Sequence, residues 1–296
     1  MKELKDIKTI EDIEERVKLA EREDLSPEDW QVLVKEELKE VKLALAENPT
    51  TPEWVLEQLS EDSDCEVRKA VVGHLQCPPT VLQRLSQDQE WMVRYQVATH
   101  PQCPASVLEE LSRDEDWLLR EQVACHPQCP PAVLESLSRD RDCEVRRAVA
   151  SHPQCPISVL ERLSRDEYWW VQISVASHPQ CPESVLKTLS RDKEWEVRAQ
   201  IAKHLRCPVC VLETLSRDEK WLVRKVVAAH PQCPESILKT LIQDEDEDVV
   251  QAVLSRSDLT LGVIEAGLKG KNQAIVKTWF HQNKKTLARD FLEKER

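Results

Sequence analysis

The segment VRRAVASHPQCPISVLERLSRD, residues 145–166, is one copy of a pattern that recurs in register along most of the chain. His74, His100, His126, His152, His178, His204 and His230 stand 26 residues apart, and Cys77, Cys103, Cys129, Cys155, Cys181, Cys207 and Cys233 keep the same step. An earlier copy reads NPTTP at 48–52, with Asn48 in the His column and Thr51 in the Cys column. The register holds through Val249 and fades near Arg256 and Thr260. Self-similarity at a fixed step marks a solenoid, whose units bury their apolar faces only by stacking on one another.

Each copy predicts two short helices. In the quoted one, Pro156 suits the first helical position, where its missing N–H is no loss, and Val159, Leu160 and Leu163 follow at helical spacing. The second helix is expected to begin around Asp166, run through Val171, Val175 and Ala176, and stop near His178, because Pro179 restricts the residue before it. Neither helix is long enough to stand alone, so neighbours must supply the burial. The column Asp62, Asp88, Asp114, Asp140, Asp166, Asp192, Asp218 and Asp244 suggests N-caps for the second helices. A column of Arg68, Arg94, Arg120, Arg146, Arg198 and Arg224, broken by Gln172, suggests ladders to Asp or to backbone carbonyls across a turn of the array. A groove for an anionic ligand is the alternative.

Composition narrows the function. The formal charge is -13 and the pI about 5.2, which disfavours nucleic acid and anionic membranes as partners, since both are held by many Lys and Arg. The N-terminus is charged throughout, without a signal-peptide core, and no run approaches the roughly 20 apolar residues that span a bilayer. A soluble, cytoplasmic protein is expected, with thiols kept reduced; an odd count of 11 Cys fits that better than a complete disulfide framework. No Gly-rich phosphate loop, paired carboxylates or Ser-His-Asp arrangement can be picked out, and only 4 Gly are available. The expectation is a protein that is not an enzyme and takes no cofactor.

The unit V-R-x-x-V-A-x-H-P-Q-C-P-x-x-V-L-x-x-L-S-R-D resembles the variant leucine-rich repeat family, related in appearance to HEAT and armadillo-type repeats. In that family the joint commonly reads N-P-x-T-P, which ENPTTP at 47–52 matches, and the resemblance extends over roughly residues 41–255. It implies an all-α, right-handed superhelical solenoid of about eight 26-residue two-helix repeats with helical caps. Some relatives bind an iron-sulfur centre through a separate cysteine cluster before the repeats. No cysteine precedes Cys65 in this sequence, so that property does not transfer.

The His and Cys of each joint raise the question of metal. A structural zinc needs four N or S ligands, whereas one copy offers His152 and Cys155 alone and the next copy sits about 10 Å away. Asn48 and Thr51 keep the same joint without either metal-binding side chain. Thr51 reads as an N-cap before Pro52, and Cys155 as a weaker one before Pro156. CPVC at 207–210 resembles a thioredoxin-like redox pair, but Cys210 occupies a column that otherwise holds Ser106, Ser158, Ser184 and Ser236. Cys125 with Cys129 reads in the same way, as two structural thiols rather than a ligand pair. Metal binding and thiol redox chemistry therefore rank below a structural role.

Trp91, Trp117, Trp169, Trp195 and Trp221 share one repeat position, with Cys65 and Cys143 as replacements, where the resembled family often has Pro. Such volume changes are incompatible with a packed core site, so these side chains are expected at least partly on the surface. Aromatics so placed anchor peptides and proteins; the bland alternative is that they shield the seam between units. The candidate binding residues are Trp91, Trp117, Trp169, Trp170, Trp195 and Trp221, led by Trp169 and Trp170 beside Tyr168. Residues 1–47 are expected to form an N-terminal helical cap leading into the array, 48–255 the repeats, and 256–296 a C-terminal helical cap whose Lys269, Lys271, Lys277, Lys284 and Lys285 give a modest basic area. The function expected is a noncovalent scaffold or adaptor for a protein or peptide partner, with a nucleic-acid-binding helical repeat as the alternative.

Overall fold

The computed structural model describes residues 13–294, and side chains through residue 283. Among the described residues there are 21 helices, and the chain divides into two compact units between Gln154 and Cys155. Both units are built from one element pair. In the second unit a repeat consists of the seven-residue helix Glu183–Leu189 and the nine-residue helix Trp195–Lys203; in the first, Ala105–Leu111 and Trp117–Cys125 play the same parts.

The short helix starts one residue later than the sequence predicts. Pro182 takes the N-cap position with extended ψ of 146°, and its carbonyl accepts N–H groups from Val185 and Leu186, each at 3.0 Å. Proline suits this place because its fixed φ is met and its missing N–H has no intrahelical partner to lose. Cys181 thus stands outside the helix instead of capping it, and its Sγ lies 4.0 Å from the Pro182 carbonyl. Thr51 is not an N-cap either. Its hydroxyl turns back to the preceding helix, donating towards the carbonyls of Leu45 at 2.5 Å and Asn48 at 2.7 Å. Those carbonyls, at the C-terminal end of that helix, also accept the backbone N–H groups of Asn48 and Thr51, so the hydroxyl adds a further donor to each.

The long helix also starts later, at Trp169 rather than Asp166. The Asp column sits in the turn before it, and capping falls two residues on, where that residue is Asp: Asp64, Asp116, Asp142 and Asp246 each accept the N–H two positions ahead. No described residue has a positive φ, which is why a chain with so few glycines can make so many turns. One glycine answers to close packing. A Cβ on Gly267 would lie 2.6 Å from Cγ1 of Ile242.

The core follows from the stacking. Val185, Leu186 and Leu189 of the short helix and Val197, Ile201 and Ala202 of the long one are buried. Within each unit, long helices pack on the long helices of adjacent repeats, and short helices rest against the long helices next to them in the sequence. At the N-terminal end, Ser26 and Asp29 form a capping box around Pro27, and Trp30 is buried. At the other end, Leu261–Gly267 and Gln273–Lys294 follow the last repeat. Lys271 lies 3.5 Å from Glu245 and Lys277 bonds Gln273, whereas the side chains of Lys284 and Lys285 lie outside the described residues.

Candidate binding site at the starts of the long helices

The joint histidines have two fixed tasks. In His126, Nδ1 accepts the Gln128 N–H at 3.1 Å and Nε2 lies 3.0 Å from the carbonyl of His100, one repeat earlier. The same pair of bonds recurs at His74, His100, His152, His204 and His230. This pattern demands the neutral imidazole with its proton on Nε2. Burial accordingly pushes the pKa of His100 and His230 down, against the carbonyl bond that favours the charged form. Asn48 performs both tasks with an amide: Oδ1 accepts from Thr50 and Nδ2 donates to the carbonyls of Ala20 and Arg22. Arg256 does the donating part at the far end, reaching the His230 carbonyl at 2.7 Å.

The joint cysteines are buried, and burial pushes the thiols of Cys77, Cys103, Cys129, Cys181 and Cys207 up to about 12. In CPVC, Cys207 is such a buried thiol, the opposite of the low-pKa thiolate that attacks in a redox pair, and Cys210 is exposed. All eleven cysteines are free thiols. Among the described residues, no group of three or more His, Cys, Asp or Glu is arranged to hold a metal ion.

The Arg and Asp columns form ladders. Arg120 donates from Nε and Nη2 to Asp140 of the next repeat at 2.6 and 2.8 Å, while its Nη1 donates to the Asp114 carbonyl of its own repeat at 2.8 Å. Arg68–Asp88 and Arg94–Asp114 repeat this in the first unit, and Arg198–Asp218 and Arg224–Asp244 in the second. Burial raises the Asp140 carboxyl, but the Arg120 guanidinium and the Asp142 N–H more than reverse that and leave it below its usual value. Lys42 supplies the cation for Asp62, and Asn272 donates to the Asp244 carbonyl beyond the last arginine.

Beside these ladders lie the tryptophans. Trp91, Trp117, Trp169, Trp195 and Trp221 are each the first residue of a long helix. Trp91 is 44% exposed, and Trp117 and Trp169 are 38% exposed; Trp170, Trp195 and Trp221 are half-buried. At the next position the sequence singled out Trp170 alone, yet Met92, Leu118 and Leu222 are exposed there. Its signal was available as an apolar residue following Trp at the same step. In the second unit the apolar pair becomes Trp169–Trp170, packed edge-on with centroids 5.7 Å apart, and Tyr168 stacks at a tilt on Trp170 at 4.7 Å. Lys225 lies 5.4 Å above the Trp221 ring, so this aromatic row already holds one cation against a face.

Repeated helix pairs, joined by these His and Arg ladders, define a helical-repeat solenoid. The chain belongs to the leucine-rich repeat variant family. The family model described as leucine rich repeat variant matches residues 91–116 and 144–167. A solved structure described as a leucine-rich repeat variant with a novel repetitive protein structural motif is 30% identical, covering 75% of this chain and 88% of its own, with a TM-score of 0.60. Among curated proteins, none matches the chain.

Proposed function

We propose that the protein is a noncovalent binding scaffold, cytoplasmic and without catalysis of its own, that holds a protein or peptide partner against the starts of its long helices. The observation that carries this reading is that Trp91, Trp117 and Trp169 are exposed at one repeat position, with Met92, Leu118 and Leu222 exposed at the next, on helices whose Val column is fully buried. Exposed aromatics at constant spacing supply rigid anchoring area at low entropy cost. The cluster of Tyr168, Trp169 and Trp170 is the strongest anchor, and the repeats 48–255 are the binding body, with the flanking helices closing its ends. No helix among the described residues is long and apolar enough to cross a membrane.

Trp169→Ala and Trp170→Ala provide the test. A partner recovered by pull-down is titrated against wild type and both variants, with circular dichroism to establish that each remains folded. Loss of affinity in folded variants supports the site; unchanged affinity for every recovered partner rejects it. The net charge of -13 opposes nucleic acid as that partner. Salt-sensitive binding to DNA or RNA would reverse that preference.

A further inference from the structure

The Arg ladder has one described gap. At the place held elsewhere by arginine, Gln172 sends Nε2 to the Asp166 carbonyl at 3.0 Å, which reproduces the inner half of the arginine's contacts. It does not reach Asp192, the carboxylate one repeat on that stands where Asp88, Asp114, Asp140, Asp218 and Asp244 each receive a guanidinium. Asp192 accepts the Glu194 N–H through Oδ1 at 2.9 Å, and among the described residues no cation pairs with it. Like Asp88, Asp114, Asp140, Asp218 and Asp244 it is half-buried, but its rung lacks the guanidinium that covers theirs.

The gap coincides with the aromatic cluster. Trp169 and Gln172 are three residues apart on one helix, and so share a face; Trp195 begins the helix that follows Asp192. Two further polar atoms in these same repeats are buried without a hydrogen-bond partner, Trp170 Nε1 and Glu196 Oε2, and they occupy equivalent positions of successive repeats. An unpaired buried carboxylate oxygen makes the neighbourhood favourable for a cation, because only a cation or a donor repays its lost hydration.

We propose that Asp192 is the docking point for an arginine side chain of the protein partner, whose guanidinium completes the interrupted ladder from outside while its plane lies along the Trp169 and Trp195 rings. The assignment rests on the binding surface proposed above and names the chemistry that the surface selects. The five filled rungs display the ligand geometry within the chain itself: Nε and Nη2 on the two carboxylate oxygens at 2.6 to 3.2 Å. Such a fork suits guanidinium better than the ammonium that Lys42 brings to Asp62 in the first copy, and arginine also stacks on aromatic faces.

The test uses the full chain with ¹⁵N-labelled tryptophan, titrated with Nα-acetyl-arginine amide and, in parallel, the citrulline and lysine analogues. The expected result is a saturable shift of the Trp169 and Trp195 indole N–H signals with arginine, a weaker one with lysine, and none with citrulline. Asp192→Asn should abolish the shift. Gln172→Arg should abolish it too, by filling the gap from within while raising the melting temperature. Equal responses to arginine and citrulline, no saturable response in wild type, or a response that survives in folded Gln172→Arg would overturn the proposal. A partner whose binding depends on Trp169 but is indifferent to Asp192→Asn and Gln172→Arg would leave the binding surface standing and remove the arginine.

Discussion

Arg120 and Asp140, 20 residues apart, are joined by two parallel hydrogen bonds and are among the least exposed charged groups of the structure, with side-chain exposures of 6% and 8%. Attraction between repeats is thereby tied to a specific register, since a fork of donors meets a fork of acceptors in one arrangement only.

Breaking that pair should be costly in proportion to its burial. Arg120→Ala leaves Asp140 charged, largely dry and without its partner, an expected loss of about 3 kcal/mol. The control is Glu109→Ala, which removes the partner of Arg113 in an exposed pair and should leave the urea midpoint unchanged. Denaturation monitored by circular dichroism separates the two; equal midpoints in both variants would refute the ranking.

The joint histidine should tolerate an amide better than a methyl group. His126→Ala strands the Gln128 N–H and takes from the His100 carbonyl one of its two donors, leaving it the Cys103 N–H, an expected destabilisation of about 1–3 kcal/mol. His126→Asn should recover much of it, because Asn48 already performs both bonds in the first copy. Thermal melts of the two variants give the comparison.

Stability should decline with acid in two separate windows. For His100 and His230 the folded pKa lies below the ordinary 6.5, so the unfolded chain takes up protons first and stability starts to fall as the pH drops below 6.5. For Asp88, Asp114, Asp140 and Asp244 the folded pKa lies below 3.8, so their contribution is complete above that value and is lost as the pH falls beneath it. Urea midpoints measured across both windows should show two declines, and His100→Asn should shrink the upper one alone.

Thiol labelling should follow burial, not motif. Cys210 is exposed and should react first with a thiol reagent in the native protein. Cys125 is exposed as well, but desolvation and the nearby Glu121 hold its thiol above the ordinary value, with Arg147 opposing, so it should lag. Cys207, at about 12, should react only on unfolding; rapid native labelling of Cys207 would reopen a redox role for CPVC.

The 26-residue step made the fold legible, because only stacked units require one constant length. Partial exposure of the Trp column was legible too, from exchanges of volume that no packed site tolerates. Helix starts were less so. Asp62 and Asp64 both stand before a helix, and sequence does not say that Asp64 caps it by accepting the Glu66 N–H while Asp62 accepts the Asp64 N–H and pairs with Lys42 of another repeat. Likewise, Thr51 is a good capping residue by type, but its hydroxyl finds nearer acceptors behind it than ahead. The gap at Asp192 could be located from Gln172, but its meaning depends on the pairing of residues 20 apart, which emerges only once the repeats are stacked.

Within each unit, the bond from a joint imidazole to a carbonyl one repeat earlier acts as a ruler. Within either unit, one residue added to or removed from a repeat would displace the ring from its acceptor, whereas excising or duplicating a whole repeat would return every ring to an equivalent carbonyl. Length is therefore quantised while the helix-start residues vary freely: Cys at 143, Trp at 117, a Trp pair at 169 and 170. A scaffold of this kind can change what it holds one repeat at a time, like type reset in a fixed frame, without renegotiating its fold.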